Sequence, residues 1–334
     1  MGEYTPDDRW IGSTVGPYRI EQIVEQGPLG PLFAARHEET QNAYLIRVLN
    51  VPDARTPELQ RTYITQVERH ATHLMTLQHP AILPLVDFGV ERGLPYLVWP
   101  QLIMRSLSAR LAQSGTPDVI TVGRYLDQMA TALEFAYQQT TLHRNLSIGC
   151  VFLQLDGHIL VADFGVRRLV ELLGPSDQQY PYYGSLEACA PEQIRGERVD
   201  AFTDVYALGG IVYRLLTGQP VFTGETLDQL VERHLYEQPV PLSRWRDDLP
   251  SGLEGVLAGA LAKDPVHRFP HASAFANAYH EVVTPHNKMR VPLAAGGGWR
   301  SGSSSPALAR VNAPVSTPGP TTGRSSSAAA LNGA

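Results

Sequence analysis

The spacing of apolar residues shifts near residue 104 from mostly strand-like runs to mostly helical recurrence, and that change points to a β-rich part followed by a helical one. The first hundred residues hold short strand-like runs, YRIEQIV, PLFAARH, NAYLIRVLN, ILPLVDFGV and LPYLVWP, separated by turn residues. One stretch among them, TPELQRTYITQVERHATHLMTL, places Tyr63, Val67, Ala71 and Leu74 at helical spacing. Beyond residue 104, DVITVGRYLDQMATALEFAYQQ and DAFTDVYALGGIVYRLLTG both recur near the helical period. A strand-and-loop segment, TLHRNLSIGCVFLQLDGHILVADFGV, lies between those two helices. The expected fold class is α+β, with a small β-rich lobe, a larger helical lobe and a loop-rich seam between them. No internal repeat is visible.

A second break falls near Pro285. From there to Ala334 the chain is Gly, Ser, Ala, Pro and Thr with few large apolar residues, too little to offset the entropy of ordering, so residues 284–334 are expected to be disordered. That tail carries Lys288, Arg290, Arg300, Arg310 and Arg324 and no acid. The remainder keeps 22 of the 27 basic residues against all 33 acidic ones, a charge of -11. A basic tail beside an acidic body reads as a solvated linker or as a weak contact for a partner. The total charge of -6 argues against general nucleic-acid binding. Cys150 and Cys189 are far apart with no CxxC, which predicts reduced thiols. The start, MGEYTPDDRW, has no secretory pattern, and no run approaches the ~18 apolar residues of a membrane span. A cytoplasmic location is expected.

The seam carries HRN at His143–Asn145 and DFG at Asp163–Gly165, followed by APE at Ala190–Glu192, TDVYALGGIVYRLLTGQPVF and DPVHRF at Asp264–Phe269. Upstream stands QHPAILPLVDFG. In this order and spacing the motifs resemble a protein kinase domain of the bacterial eukaryotic-like Ser/Thr type. The resemblance covers residues 18–283, with a small lobe at 18–102, a large lobe at 103–283 and an extension at 1–17. It implies a bilobal kinase-like fold and a Glu192–Arg268 ion pair fixing the activation segment. It also implies that Asp204 holds the catalytic loop, and that His143, Phe164 and Leu74 share a column of side chains linking the lobes.

The chemical positions depart from that family. Phosphoryl transfer to a hydroxyl uses a carboxylate to orient and deprotonate the acceptor, and the matching residue is Asn145. An amide takes up no proton at neutral pH, and a positioned base is worth about 10²–10⁴-fold. Ser147 stands where the family has a phosphate-contacting lysine, and Cys150 where it has the asparagine ligand of a second magnesium; a thiol is a soft ligand for a hard ion. Asp163 keeps a carboxylate that can hold one magnesium, or equally serve as a turn aspartate. Arg47 replaces the phosphate-binding lysine, and counting back from His79–Pro80 puts His70 in place of its helix C glutamate, so no ion pair forms there. Glu68, two residues away, faces elsewhere on the helix. In VEQGPLGPLF, Gly27 and Gly30 match the second and third loop glycines, Glu25 replaces the first where it would face phosphates, and Pro28 and Pro31 lack donors. A plain hairpin explains the same residues.

The adenine pocket carries larger side chains, with Leu32 and Leu45 at the roof, Phe152 at the floor, Trp99 as gatekeeper and Pro100, Gln101 and Leu102 at the hinge. Leu102 retains a backbone N–H for adenine. Two expectations follow: Leu32, Leu45 and Phe152 fill the site with protein, or the backbone absorbs them. The activation segment offers Ser176, Tyr180, Tyr182, Tyr183 and Ser185 but no threonine. Arg144 either binds a phosphate there or is held by backbone carbonyls. The resemblance implies ATP and magnesium, and the substitutions imply weak binding or none. The favoured expectation is a pseudokinase that scaffolds or regulates a protein partner, such as an active kinase or a kinase substrate. The alternatives are a slow Ser/Thr kinase, or nucleotide binding that stabilises one conformation without turnover.

Overall fold

The computed structural model describes residues 10–26, 30–49, 57–102, 104–171 and 186–290. Gly27, Pro28, the activation-segment hydroxyls from Ser176 to Ser185, and residues 291–334, which make up most of the expected tail, lie outside the described residues.

The small lobe is an antiparallel sheet of β1 (Thr14–Val15), β2 (Tyr18–Glu25), β3 (Leu32–His37), β4 (Ala43–Val48), β5 (Asp87–Glu91) and β6 (Leu94–Pro100), in the order β1-β2-β3-β4-β6-β5. Helix α1 (Pro57–Leu74) packs against β5 and β6. Because side chains alternate along a strand, the pairing of Phe33 with Ile46 and of Ile46 with Val98 stacks three buried residues on one face. The same register aligns Ala34, Leu45 and Trp99 across the opposite face, with Leu32 beside Arg47. Trp10 closes the first cluster, 2% exposed, under the guanidinium of Arg92. Packing therefore extends the small lobe ahead of residue 18, through an aromatic side chain that no strand pattern announces. The run ILPLVDFGV forms a strand only over Asp87–Glu91. Its apolar first half threads the seam instead, where Ile82 bridges to Val161 and the Leu83 N–H donates to the Val161 carbonyl.

In the large lobe follow β7 (Arg105–Ser106), α2 (Leu107–Ser114), α3 (Val119–Gln138), β8 (Val151–Leu153), β9 (Ile159–Val161), α4 (Val166–Glu171), α5 (Pro191–Ile194), α6 (Ala201–Thr217), α7 (Leu227–Tyr236), α8 (Gly252–Ala260) and α9 (Ala272–Arg290). Asp118 and Asp200 cap α3 and α6 by accepting from backbone N–H groups of the first turn. Gly218 ends α6 in the left-handed region at φ 77°. Helix α6 is apolar almost all round, so it runs through the core, packed on by α3, α8 and α9. Helix α9 continues through Pro285 to Arg290, past the expected start of disorder at 284. His286–Arg290 contain no glycine, and extending a formed helix costs far less than starting one. None of the described helices is long and apolar enough to cross a membrane.

Candidate active site

The large lobe's three-stranded sheet, ordered β7-β8-β9, lies at the seam, and the two loops beside it carry the chemical positions. Residues 143–150 lead into β8, and Asp163–Gly165 follow β9. Both loops hold backbone conformations rare outside glycine, Arg144 at φ 63° and Asp163 at φ 64°. Asp204, buried at the start of α6, restrains the first. Its carboxylate accepts from the His143 and Arg144 N–H groups, both at 2.8 Å. Burial pushes the Asp204 pKa up and the neighbouring His143 opposes it. Gln193 Nε2 donates to the Arg144 carbonyl at 2.7 Å from the other side. His143 Nε2 donates to the Ala162 carbonyl at 2.9 Å, and its ring lies 4.8 Å from that of Phe164, so one histidine ties the two loops together. The buried Glu192 accepts from Arg268 Nη1 and Nη2 at 2.7 and 2.8 Å. These are the scaffold contacts that the motif pattern implies.

Between the lobes lies a cavity of about 470 Å³. Leu32, Leu45 and Trp99 wall it from the small lobe, and Phe152, Asn145, Ser147, Cys150 and Asp163 from the large one, with Leu102 at the rim, 44% exposed. The expectation that Leu32, Leu45 and Phe152 fill this space is corrected here. All three are half-buried and border open volume, with Leu45 and Phe152 packed back against the main core. The N–H of Leu102 makes no hydrogen bond among the described residues, whereas that of Gln101 donates to the Ala43 carbonyl.

Arg47 is buried and lines the same cavity. Its Nη1 donates to the Gly30 carbonyl at 3.0 Å and its Nη2 to Glu25 at 3.4 Å, while its Nε is buried with no partner. Glu25, expected to face the phosphates, thus lines the cavity paired with the arginine. This pair was not anticipated from sequence, although a carboxylate and a guanidinium replacing a glycine and a lysine in one site is a readable signal. Asp163 has its pKa raised by burial, with Arg47 opposing. Cys150 is equally enclosed: its thiol donates to the Ser147 carbonyl at 3.1 Å, its sulfur accepts from the Ser147 N–H at 3.3 Å, and burial pushes its pKa up to about 12.

His70 sits on the face of α1 that meets the second loop. Its Nε2 lies 2.9 Å from the Gly165 carbonyl, an acceptor, so that nitrogen carries the proton. Burial lowers its pKa, and the neutral ring ties α1 to the loop. Glu68 is exposed, away from the cavity. Behind α1 a polar pocket of about 510 Å³ gathers Arg69, His70, His73, Arg144 and Arg168, with His73 bonded to Thr141 at 2.9 Å. The spacing Gln66, Arg69, His70, His73 is one helical face and could have revealed it.

A six-stranded small lobe, a helix-built large lobe and a cleft framed by HRN and DFG loops define a protein kinase fold. Residues 18–280 match the protein kinase domain family. The chain is 30% identical over 276 residues to serine/threonine-protein kinase PknB of Mycobacterium tuberculosis (strain ATCC 25618 / H37Rv), covering 81% of this chain and 43% of that protein. It is 27% identical over 263 residues to serine/threonine-protein kinase PrkC of Bacillus subtilis (strain 168), covering 78% and 40%. It thus spans less than half the length of these relatives. The crystal structure of Rad53 1-466 in complex with AMP-PNP superposes with a TM-score of 0.61 at 21% identity, over 78% of this chain and 64% of that one. This chain belongs to the protein kinase family, among the bacterial eukaryotic-like Ser/Thr kinases.

Whether this cleft suits the family's magnesium nucleotide depends on its donors. A volume of 470 Å³ suits a base and sugar, and the Leu102 N–H, without a partner among the described residues, offers a donor at the rim. The phosphate end does not fit. The guanidinium of Arg47 already holds Glu25, Cys150 is a protonated thiol, and no group of three acidic, histidine or cysteine ligands gathers among the described residues. Of the two carboxylates among the described cavity residues, Glu25 is taken up by Arg47, so Asp163 is the one that would meet a metal. The residues therefore support binding of a flat ligand better than transfer of a phosphate.

Proposed function

We propose that this chain is a pseudokinase, a kinase-fold protein that acts by binding a protein partner, an active kinase or a kinase substrate, and does not transfer phosphate. One observation supports the reading: Asn145, which the motif pattern aligns with the base, borders the cavity, and the carboxylates among the described cavity residues are Glu25 and Asp163. Glu25 is paired with Arg47, and Asp163 stands at the metal position, so neither serves as the acceptor's base. The scaffold contacts that a kinase-shaped binder needs, Asp204 to the HRN loop and Glu192 to Arg268, are made.

The second reading, a slow Ser/Thr kinase, draws on Arg47 and Asp163 sharing one cavity, since positioning and electrostatics supply much of phosphoryl transfer. One assay separates the two. The chain is incubated with ATP and magnesium and a generic basic protein substrate, beside the Asp163→Ala variant. The binding reading expects equal background from both. Transfer by the unaltered chain that disappears in Asp163→Ala overturns it.

A further inference from the structure

We infer that the cavity between the lobes is a binding site for an uncharged, nucleoside-sized heteroaromatic ligand and discriminates against the matching triphosphate, because Glu25 occupies the guanidinium of Arg47 that a phosphate would need. The inference concerns which ligand the cleft admits and does not rest on the partner-binding reading.

The argument starts from charge. Among the described residues lining the cavity, Arg47 is the sole cation, facing the carboxylates of Glu25 and Asp163. The formal balance is already negative before any ligand enters, and a polyphosphate would add several like charges beside them. Geometry sharpens this. Nη1 and Nη2 of Arg47 are engaged by the Gly30 carbonyl and by Glu25, so the guanidinium behaves as though an anion were already bound. Its Nε is buried without a partner and is closed to a ligand in the cavity, so the guanidinium has no third nitrogen to offer a phosphate. The walls suit an uncharged ligand: Leu32, Leu45, Trp99 and Phe152 present apolar and aromatic surface to a flat ring, and the Leu102 N–H at the rim supplies a donor.

The size of the effect follows from exposure. The Arg47 side chain is 5% exposed but that of Glu25 is 57%. A pair half in solvent is worth little enough for a strong competitor to displace, so the preference is of the order of tenfold.

The test is a titration of the full chain with adenosine, with ATP, and with ATP plus magnesium, read by calorimetry and by melting temperature. The Glu25→Gly and Glu25→Gln variants are titrated alongside. Adenosine is expected to bind at least about tenfold more tightly than either form of ATP. Both variants are expected to shift the ratio of ATP to adenosine affinity towards ATP by about that factor. Glu25→Gln keeps the side-chain shape, which guards against a loop distorted by glycine. The inference is overturned if ATP binds the unaltered chain as tightly as adenosine, if neither ligand binds, or if both variants fold and leave the ratio of affinities unchanged.

Discussion

Glu192→Gln changes one oxygen to an NH2 group in a place where the structure leaves no slack. Oε1 accepts from Arg268 Nη1 at 2.7 Å and from Thr203 Oγ1 at 2.8 Å, and Oε2 accepts from Arg268 Nη2 at 2.8 Å. The two side chains are 3% and 0% exposed, so water cannot replace what is lost. Arg268 would keep its carbonyl partners, Ala262 through Nε, Phe202 through Nη1 and Lys263 through Nη2. Carbonyl dipoles do not neutralise a full charge, and the new amide NH2 would point its hydrogens at a guanidinium donor. Stranding one partner of a buried pair costs about 3–5 kcal/mol, a large share of the ~5–15 kcal/mol that holds a domain together. In a domain of this size the melting temperature should fall by roughly 6–20 °C. The assay is urea and thermal unfolding of the single variants Glu192→Gln and Arg268→Gln, the double variant, and Glu21→Gln as a control. Glu21 pairs with Arg36 on the surface, with both side chains more than 40% exposed, and its loss should cost under about 1 kcal/mol. The double variant should be more stable than the sum of its singles by about 1–3 kcal/mol. A Glu192→Gln loss no larger than that of Glu21→Gln would refute the view that this pair anchors α5 to the large lobe.

Asn145→Asp restores a base but not the metal ligand or the lysine, so phosphate transfer should remain at background; a rise of the full ~10²–10⁴-fold that a base supplies would show that the other substitutions are harmless. Gly165→Ala should destabilise the domain by about 1–3 kcal/mol in urea unfolding, since the backbone there is at φ 67° and a Cβ would meet Leu74 Cδ2 at 2.7 Å; an unchanged midpoint would mean that α1 moves freely against the loop. His234 is fully buried and desolvation lowers its pKa from 6.5 to about 3. As pH falls below 6.5 the unfolded chain takes up a proton that the folded chain refuses, so this residue's contribution is intact above 6.5 and is lost as pH falls towards 3. Between pH 7 and 5 that removes about 2 kcal/mol, and His234→Phe should flatten the slope by one proton. Equal slopes in the two proteins would assign the pH dependence elsewhere.

The sequence disclosed those parts of the fold that rest on local chemistry. Period-3.6 recurrence found α3 and α6, whose boundaries follow from Asp118, Asp200 and Gly218, each a cap acting within a few residues. The ordered motifs placed Asn145, Asp163 and Arg47 around one cleft. What escaped was set by distance in space. Pro84 within the run Ile82–Leu85 is a local sign against a strand, but the pairing of this run with Val161 is a tertiary fact. The open cleft depends on which way Leu32, Leu45 and Phe152 pack, Leu45 and Phe152 lying back against the main core, and counting side-chain volumes cannot supply that. His70 looked like the loss of an acid, and its bond to Gly165 depends on how closely α1 approaches the second loop.

That bond belongs to a pattern that bears on function. A catalytic residue held ready for substrate is usually an unsatisfied one, because the partner it waits for is absent. In this cleft three of the replaced positions have turned to the protein itself: His70 to the Gly165 carbonyl, Cys150 to Ser147, and Arg47 to Gly30 and Glu25. Each such contact lowers the energy of the chain without ligand and must be broken or shared before a magnesium triphosphate is held. Ground-state stabilisation of this kind opposes catalysis, which requires interactions that strengthen as the reaction proceeds. It is the pattern that the proposed binding role would require: contacts that hold the kinase shape without ligand.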